Sequence, residues 1–201
     1  MAKYDISKFK GSTLNDTVDK IMSHYDLNIC NDHTKRVAAL CKSLAPSFYV
    51  NPLDAEMAGL LHDISGIVPN HERLDYCKMY DINIVEEERH LPLLTHQKIS
   101  AHIARHQFQI SNGNILSAIA CHTTLKKNAS RLDKLLFIVD KLEWDQNGIP
   151  PYKEEIMSLL EESLDLAVYT YMNMMLSDNK LKIVHPDYLD GAKYLERELK
   201  N

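Results

Sequence analysis

AGLLHDISGIV, residues 58–68, carries an apolar helical run straight into His62 and Asp63 and then returns to apolar residues. A carboxylate set among apolar side chains costs several kcal/mol unless a partner charge and hydrogen bonds compensate it. The flanking pattern says what kind of fold holds the pair. Upstream, Asn51 followed by Pro52 is an N-cap with proline at the first helical position, and Asp54 suits the positive end of a helix. The spacing predicts a helix that buries Ala55, Ala58 and Leu61 and delivers His62 and Asp63 at its end.

The same period continues in both directions. His33, Val37, Leu40, Cys41 and Leu44 share a face, and Thr95 is placed to cap a helix striped by Ile99 and Ile103. Ile115, Leu116, Ile119 and His122 form another stripe. Ser130 with Asp133 resembles a capping box that opens Leu132, Leu135, Leu136 and Val139 towards Asp140. Ile156, Leu160, Leu164, Ala167, Tyr171 and Met174 predict one long helix; Leu189, Ala192, Leu195 and Leu199 predict a last one. Alternating strand patterns with hairpin turns are missing. The expected fold is all-α, a single-domain helical bundle over residues 1–201, with its chemistry at about 25–145 and packing helices at about 152–200. The polar segment 70–94 predicts a short helix and a loop, and its EEER run (86–89) a solvated face.

Composition narrows the function classes. Of 201 residues, 45% are hydrophobic and 25% charged, the balance of a globular chain with a proper core. The net charge of -5 leaves no broad basic field, which argues against a general nucleic-acid or anionic-membrane binder. With no apolar leader and no membrane-length apolar run, a cytoplasmic protein is expected. Cys30, Cys41, Cys77 and Cys121 never form C-x-x-C and read as reduced, mostly buried residues.

The position of the histidines is more telling than their number. His33 begins one apolar stripe, His62 and Asp63 end another, His96 opens a third, His122 ends a fourth and Asp140 ends a fifth. Helices packed around one axis can bring all six together. Neutral imidazoles and carboxylates suit iron, manganese or zinc. A cation would offset the desolvation of Asp63 and Asp140 and acidify the water it holds, the chemistry of phosphate-ester and anhydride hydrolysis. The other reading of each histidine is a satisfied core or surface residue. His102 and His106 are a possible i, i+4 metal pair but lie on a polar stretch, and His24, His71, His90 and His185 read as structural or surface residues.

Six blocks carry the order His…His-Asp…His…His…Asp: HTKRVAALCKSLA (33–45), AEMAGLLHDIS (55–65), LPLLTHQKISAHIA (91–104), ILSAIACHTT (115–124), LDKLLFIVDKLE (132–143) and KIVHPD (182–187). Together they resemble the HD superfamily of metal-dependent phosphohydrolases, and within it the YqeK-type symmetrical diadenosine tetraphosphatases, over roughly residues 25–200. The resemblance implies an all-helical HD fold, commonly dimeric, that holds iron or a similar metal, one or two ions per chain, and splits diadenosine tetraphosphate into two ADP. It implies His33, His62, Asp63 and Asp140 as metal ligands. His96 and His122 would bind a second metal or the phosphates, with Asp63, His96 and His122 at the reaction centre. Thr123 and Thr124 would line the nucleotide site.

Three departures fall where the resembling family usually carries a basic residue: Cys30, Gly66 and Gln146. Leu125 replaces a glycine, Trp144 a proline, and LLTHQK stands where a histidine-glycine pair is usual. Arg and Lys grip phosphate through charge-assisted hydrogen bonds of about 1.5–3 kcal/mol each. Replacements are therefore expected among Lys98, Lys126, Lys127 and Lys134, with Lys126 and Lys127 first because they follow HTT directly. Trp144 either stacks on a base or packs as a partly buried side chain. Three functions follow: an active nucleotide phosphohydrolase, a metal- and nucleotide-binding regulator with little catalysis, and a helical interaction module with structural histidines.

Overall fold

A computed structural model describes residues 3–144, 146, 148–178 and 180–200. Among them are eleven α-helices: α1 (Leu14–His24), α2 (Asn28–Leu44), α3 (Pro52–Leu61), α4 (Arg73–Met79), α5 (Glu86–His90), α6 (His96–His106), α7 (Gly113–Cys121), α8 (Arg131–Leu142), α9 (Lys153–Glu162), α10 (Leu164–Ser177) and α11 (Pro186–Lys200). The described residues contain no strand, and the architecture is an all-α bundle. No described helix is long and apolar enough to cross a membrane.

The bundle is organised around α8. Leu135, Leu136, Phe137, Ile138 and Val139 are all fully buried, so this helix is apolar nearly all round and sits between α7, α10, α2 and α3. Its start is the expected capping box: Ser130 Oγ accepts from Asp133 N at 3.1 Å, and Asp133 Oδ2 accepts from Ser130 N at 2.8 Å. The start of α3 is also as expected, with Asn51 Oδ1 accepting from Leu53 N at 2.8 Å and Asp54 N at 3.3 Å. Helices α2 and α3 pack closely, and a Cβ at Gly59 would stand only 2.6 Å from Ala38 Cα.

Several local expectations are corrected. The long C-terminal helix is two helices, α9 and α10, because Ser163 adopts extended backbone and its hydroxyl accepts from Leu166 N. Thr95 does not cap α6 through its side chain; its hydroxyl donates back to Pro92 O at 2.7 Å. Leu199 is 40% exposed, off the buried face of α11. The segment 70–94 holds two short helices, α4 and α5, together with 3-10 turns.

The EEER run is not wholly solvated. Glu88 is fully buried, and its Oε2 accepts from Lys98 Nζ at 2.7 Å and from Val85 N at 2.8 Å. His185 Nε2, also buried, lies 3.5 Å from Glu88 Oε1, tying α5 to the start of α11. Burial, the largest influence, pushes the Glu88 pKa up, but His185, Lys98 and the Val85 amide outweigh it and hold it below the ordinary value. A carboxylate with a depressed folded pKa contributes stability above its unfolded pKa, and that contribution is lost as pH falls through the folded value. Glu88→Gln is therefore expected to lower stability near neutral pH by about 2 kcal/mol and to flatten the acid limb below about pH 4.5. Urea midpoints across pH check this; parallel acid limbs in both proteins would contradict it.

Candidate metal centre and its cleft

Five helices deliver the six residues to one place. His33 lies on α2, His62 caps the end of α3 with Asp63 following it, His96 opens α6, His122 caps the end of α7, and Asp140 lies near the end of α8. Each imidazole is anchored through Nδ1 to a backbone carbonyl: His33 to Glu143 O at 2.6 Å, His62 to Gly59 O at 2.7 Å, His96 to Leu93 O at 2.6 Å and His122 to Ile119 O at 2.8 Å. A carbonyl only accepts, so each Nδ1 carries a proton and each Nε2 is left as the atom that can ligate a metal.

Those Nε2 atoms face one another. His33 Nε2 is 3.2 Å from His62 Nε2, and His96 Nε2 is 2.9 Å from His122 Nε2. Asp140 Oδ1 lies 3.0 Å from His33 Nε2 and 3.5 Å from His62 Nε2. Asp63 spans the two halves, with Oδ2 3.6 Å from His62 Nε2 and Oδ1 3.5 Å from both His96 and His122 Nε2. Two ligand triads result, His33–His62–Asp140 and His62–Asp63–His122, each with donor atoms within 4.8 Å of one another. Acceptor against acceptor is repulsive unless a proton or a cation sits between them, so this donor set fits a divalent metal.

The electrostatics agree. Burial, the largest influence on Asp63, raises its pKa, but His62, His122 and His96 together hold it well below the usual carboxylate range. Asp140 is likewise held low against burial by Lys141, His33 and His62. For His62, burial lowers the pKa, but Asp63 and Asp140 outweigh it and hold it at about 9. For His96, burial wins over Asp63 and lowers the pKa to about 4. Both carboxylates are thus ionised at neutral pH, and the proton that His62 holds is one that a bound cation would displace.

The centre opens into a cleft of about 530 Å³ lined by His33, Asp63, His96, His122, Thr123 and Asp140. Thr123 Oγ1 is 3.0 Å from His96 Nε2. Thr124 turns away: its buried hydroxyl donates to Leu125 O and receives Gln97 Nε2, both at 3.0 Å. Gln97 is a residue that sequence reasoning missed; its Oε1 accepts from Thr123 N at 3.0 Å and Thr124 N at 3.3 Å, fixing the HTT turn. Leu125 has φ +56°, the left-handed conformation a glycine adopts freely. That conformation costs a leucine about 1–2 kcal/mol, and complete burial of its side chain returns about 1.5–3 kcal/mol.

The expected lysines are elsewhere. Lys126 Nζ donates to Ser117 Oγ at 2.6 Å and lies 3.5 Å from Asp133, while Lys127 borders a separate hollow with Asp190 and Arg197 of α11. Lys98 is held by Glu88 and Lys134 by Asp165. Among the described residues, the arginine and lysine that do line the cleft are Arg73 and Lys141. Lys141 directly follows Asp140 in sequence, a signal available beforehand; Arg73 lies in the polar segment 70–94, where no pattern marked it. Cys30, Gly66 and Gln146 all lie on the cleft wall, so the three departures from the resembling family converge on one surface. Trp144 also lines it, edge-on to Tyr152 at 6.3 Å.

An all-helical bundle that gathers His33, His62-Asp63 and Asp140 is the arrangement of the HD domain. The HD domain family matches residues 31–145, and the chain belongs to that family of phosphohydrolases. An uncharacterized protein in the pepC 5' region of Lactococcus lactis subsp. cremoris is 42% identical over 151 residues, covering 75% of this chain and 77% of that one. A protein of Staphylococcus aureus named bis(5'-nucleosyl)-tetraphosphatase, symmetrical, is 30% identical over 146 residues, covering 69% of this chain and 71% of that one. The crystal structure of a predicted HD superfamily hydrolase involved in NAD metabolism from Clostridium acetobutylicum shares the fold. Its TM-score is 0.79 at 23% identity, covering 90% of this chain and 97% of that one.

Proposed function

We propose that the protein is a divalent-metal-dependent phosphohydrolase acting on a nucleotide, with a dinucleoside polyphosphate such as diadenosine tetraphosphate, cleaved to two ADP, as its substrate. The observation that carries this reading is the convergence of four Nδ1-anchored imidazoles and two ionised carboxylates at the floor of an open cleft. His33, His62, Asp63 and Asp140 would hold the metal, and His96 and His122 would hold a second ion or the phosphate. Iron is the first candidate, with manganese and zinc suited to the same donors. Bound there, such an ion neutralises phosphoryl oxygens and acidifies water. Asp63 would link the two halves of the site, His96 would present Nε2 to the phosphate, and Thr123 would supply a hydroxyl beside it.

The relatives named as symmetrical tetraphosphatases support the nucleotide class. A second reading, a nucleotide-binding regulator with little catalysis, is favoured by the uncharged cleft wall at Cys30, Gly66 and Gln146. Product chromatography on dinucleoside polyphosphates and mononucleotides, with elemental analysis of the same protein, separates the two. ADP as the sole product from diadenosine tetraphosphate supports the first; bound metal and nucleotide without turnover supports the second.

A further inference from the structure

Arg73 is a buried cation, 8% exposed, on the wall of the cleft. Its Nε donates to Val68 O at 3.3 Å and its Nη1 to Leu93 O at 3.2 Å. Leu93 O is also the carbonyl that anchors His96 Nδ1 at 2.6 Å, so one acceptor ties the guanidinium to the imidazole beside the metal centre. A guanidinium has five N–H donors, of which these contacts use two. Among the described residues no carboxylate forms an ion pair with it, and Asp63 acts on it only through space. A buried guanidinium with no carboxylate in direct contact is costly, and one set at a cleft wall has its remaining donors available to a ligand. Lys141, the other cleft cation, is already bound to Asp140 Oδ2 at 2.5 Å and near His122 O at 3.4 Å.

We propose that Arg73 is the phosphate-recognition residue of the cleft, gripping the phosphoryl group through its uncommitted N–H donors beside His96. The inference rests on the phosphohydrolase reading for its substrate class, but the geometry calls only for a phosphoryl dianion. The grip falls on the phosphoryl group and not on the nucleoside, so it applies to every phosphate ligand of the site. Two backbone carbonyls hold the guanidinium in place before the ligand arrives, so little side-chain freedom is lost on binding. Lysine at this position would keep the charge but lose the planar fork.

The test measures binding of inorganic phosphate by titration calorimetry to metal-loaded wild type, Arg73→Gln and Arg73→Lys, with metal content and thermal unfolding recorded for each. Arg73→Gln is expected to weaken phosphate binding at least about tenfold with metal content unchanged, and Arg73→Lys to recover part of the loss. Where a substrate is turned over, KM rises in the same order for all phosphate substrates. Phosphate affinity within about twofold of wild type in folded, metal-loaded Arg73→Gln overturns the proposal, whatever its melting temperature. If Arg73→Gln does not fold, Arg73→Lys decides: unchanged phosphate affinity and KM overturn it. A wild type that binds phosphate through Arg73 yet hydrolyses no nucleotide refutes the hydrolase reading and leaves this one standing.

Discussion

Replacing Asp63 with alanine is expected to lower turnover by about a thousandfold or more while the protein stays folded. Asp63 is the one carboxylate that faces both halves of the centre, His62 through Oδ2 and His96 with His122 through Oδ1. Its loss removes a ligand of one triad and the charge that counters burial at His62. The fold survives because the side chain lies at the cleft and not in the apolar core. Circular dichroism with elemental analysis and initial rates checks the outcome. Wild-type turnover in a folded Asp63→Ala protein would remove the metal site from the mechanism.

Gly59→Ala is expected to cost about 3 kcal/mol, near the upper end of overpacking effects. A Cβ at Gly59 would stand 2.6 Å from Ala38 Cα and 2.9 Å from Ala38 N, and backbone atoms cannot move aside as a side-chain tip can. The helices α2 and α3 must separate, and they carry His33 and His62. Because Gly59 O also anchors His62 Nδ1, the substitution is expected to disturb the 3.2 Å His33–His62 approach and weaken metal retention as well as stability. Urea unfolding and metal content measured together test this; a loss of stability with metal content intact would mean that the centre tolerates the separation.

What could be read from the sequence follows what is local. The caps at Asn51 and Ser130, the apolar face of each helix and the placing of six ligand-type residues at helix ends or on apolar faces are written within single turns. What could not be read depends on side-chain reach across the bundle. Glu88 sits in an acidic run that looks solvated, and only the approach of Lys98 and His185 from other elements buries it. Lys126 and Lys127 follow the HTT turn in sequence, but the left-handed backbone at Leu125 redirects the chain away from the cleft. Arg73 reaches the site by a route that no spacing rule encodes, through the carbonyls of Val68 and Leu93. Ser163 divides the C-terminal stripe because a single serine in extended backbone ends one helix and caps the next without interrupting the apolar period.

The metal is central, since His33, His62, Asp63, His122 and Asp140 form two overlapping sets of donor atoms suited to it. The most direct measurement strips the protein with a chelator, confirms its metal content by elemental analysis, and follows nucleotide hydrolysis as Fe(II), Mn(II) or Zn(II) is titrated back. No turnover is expected in the stripped protein, with a return that saturates at about one or two equivalents per chain, matching the two triads. Full turnover by protein shown to be metal-free would contradict it.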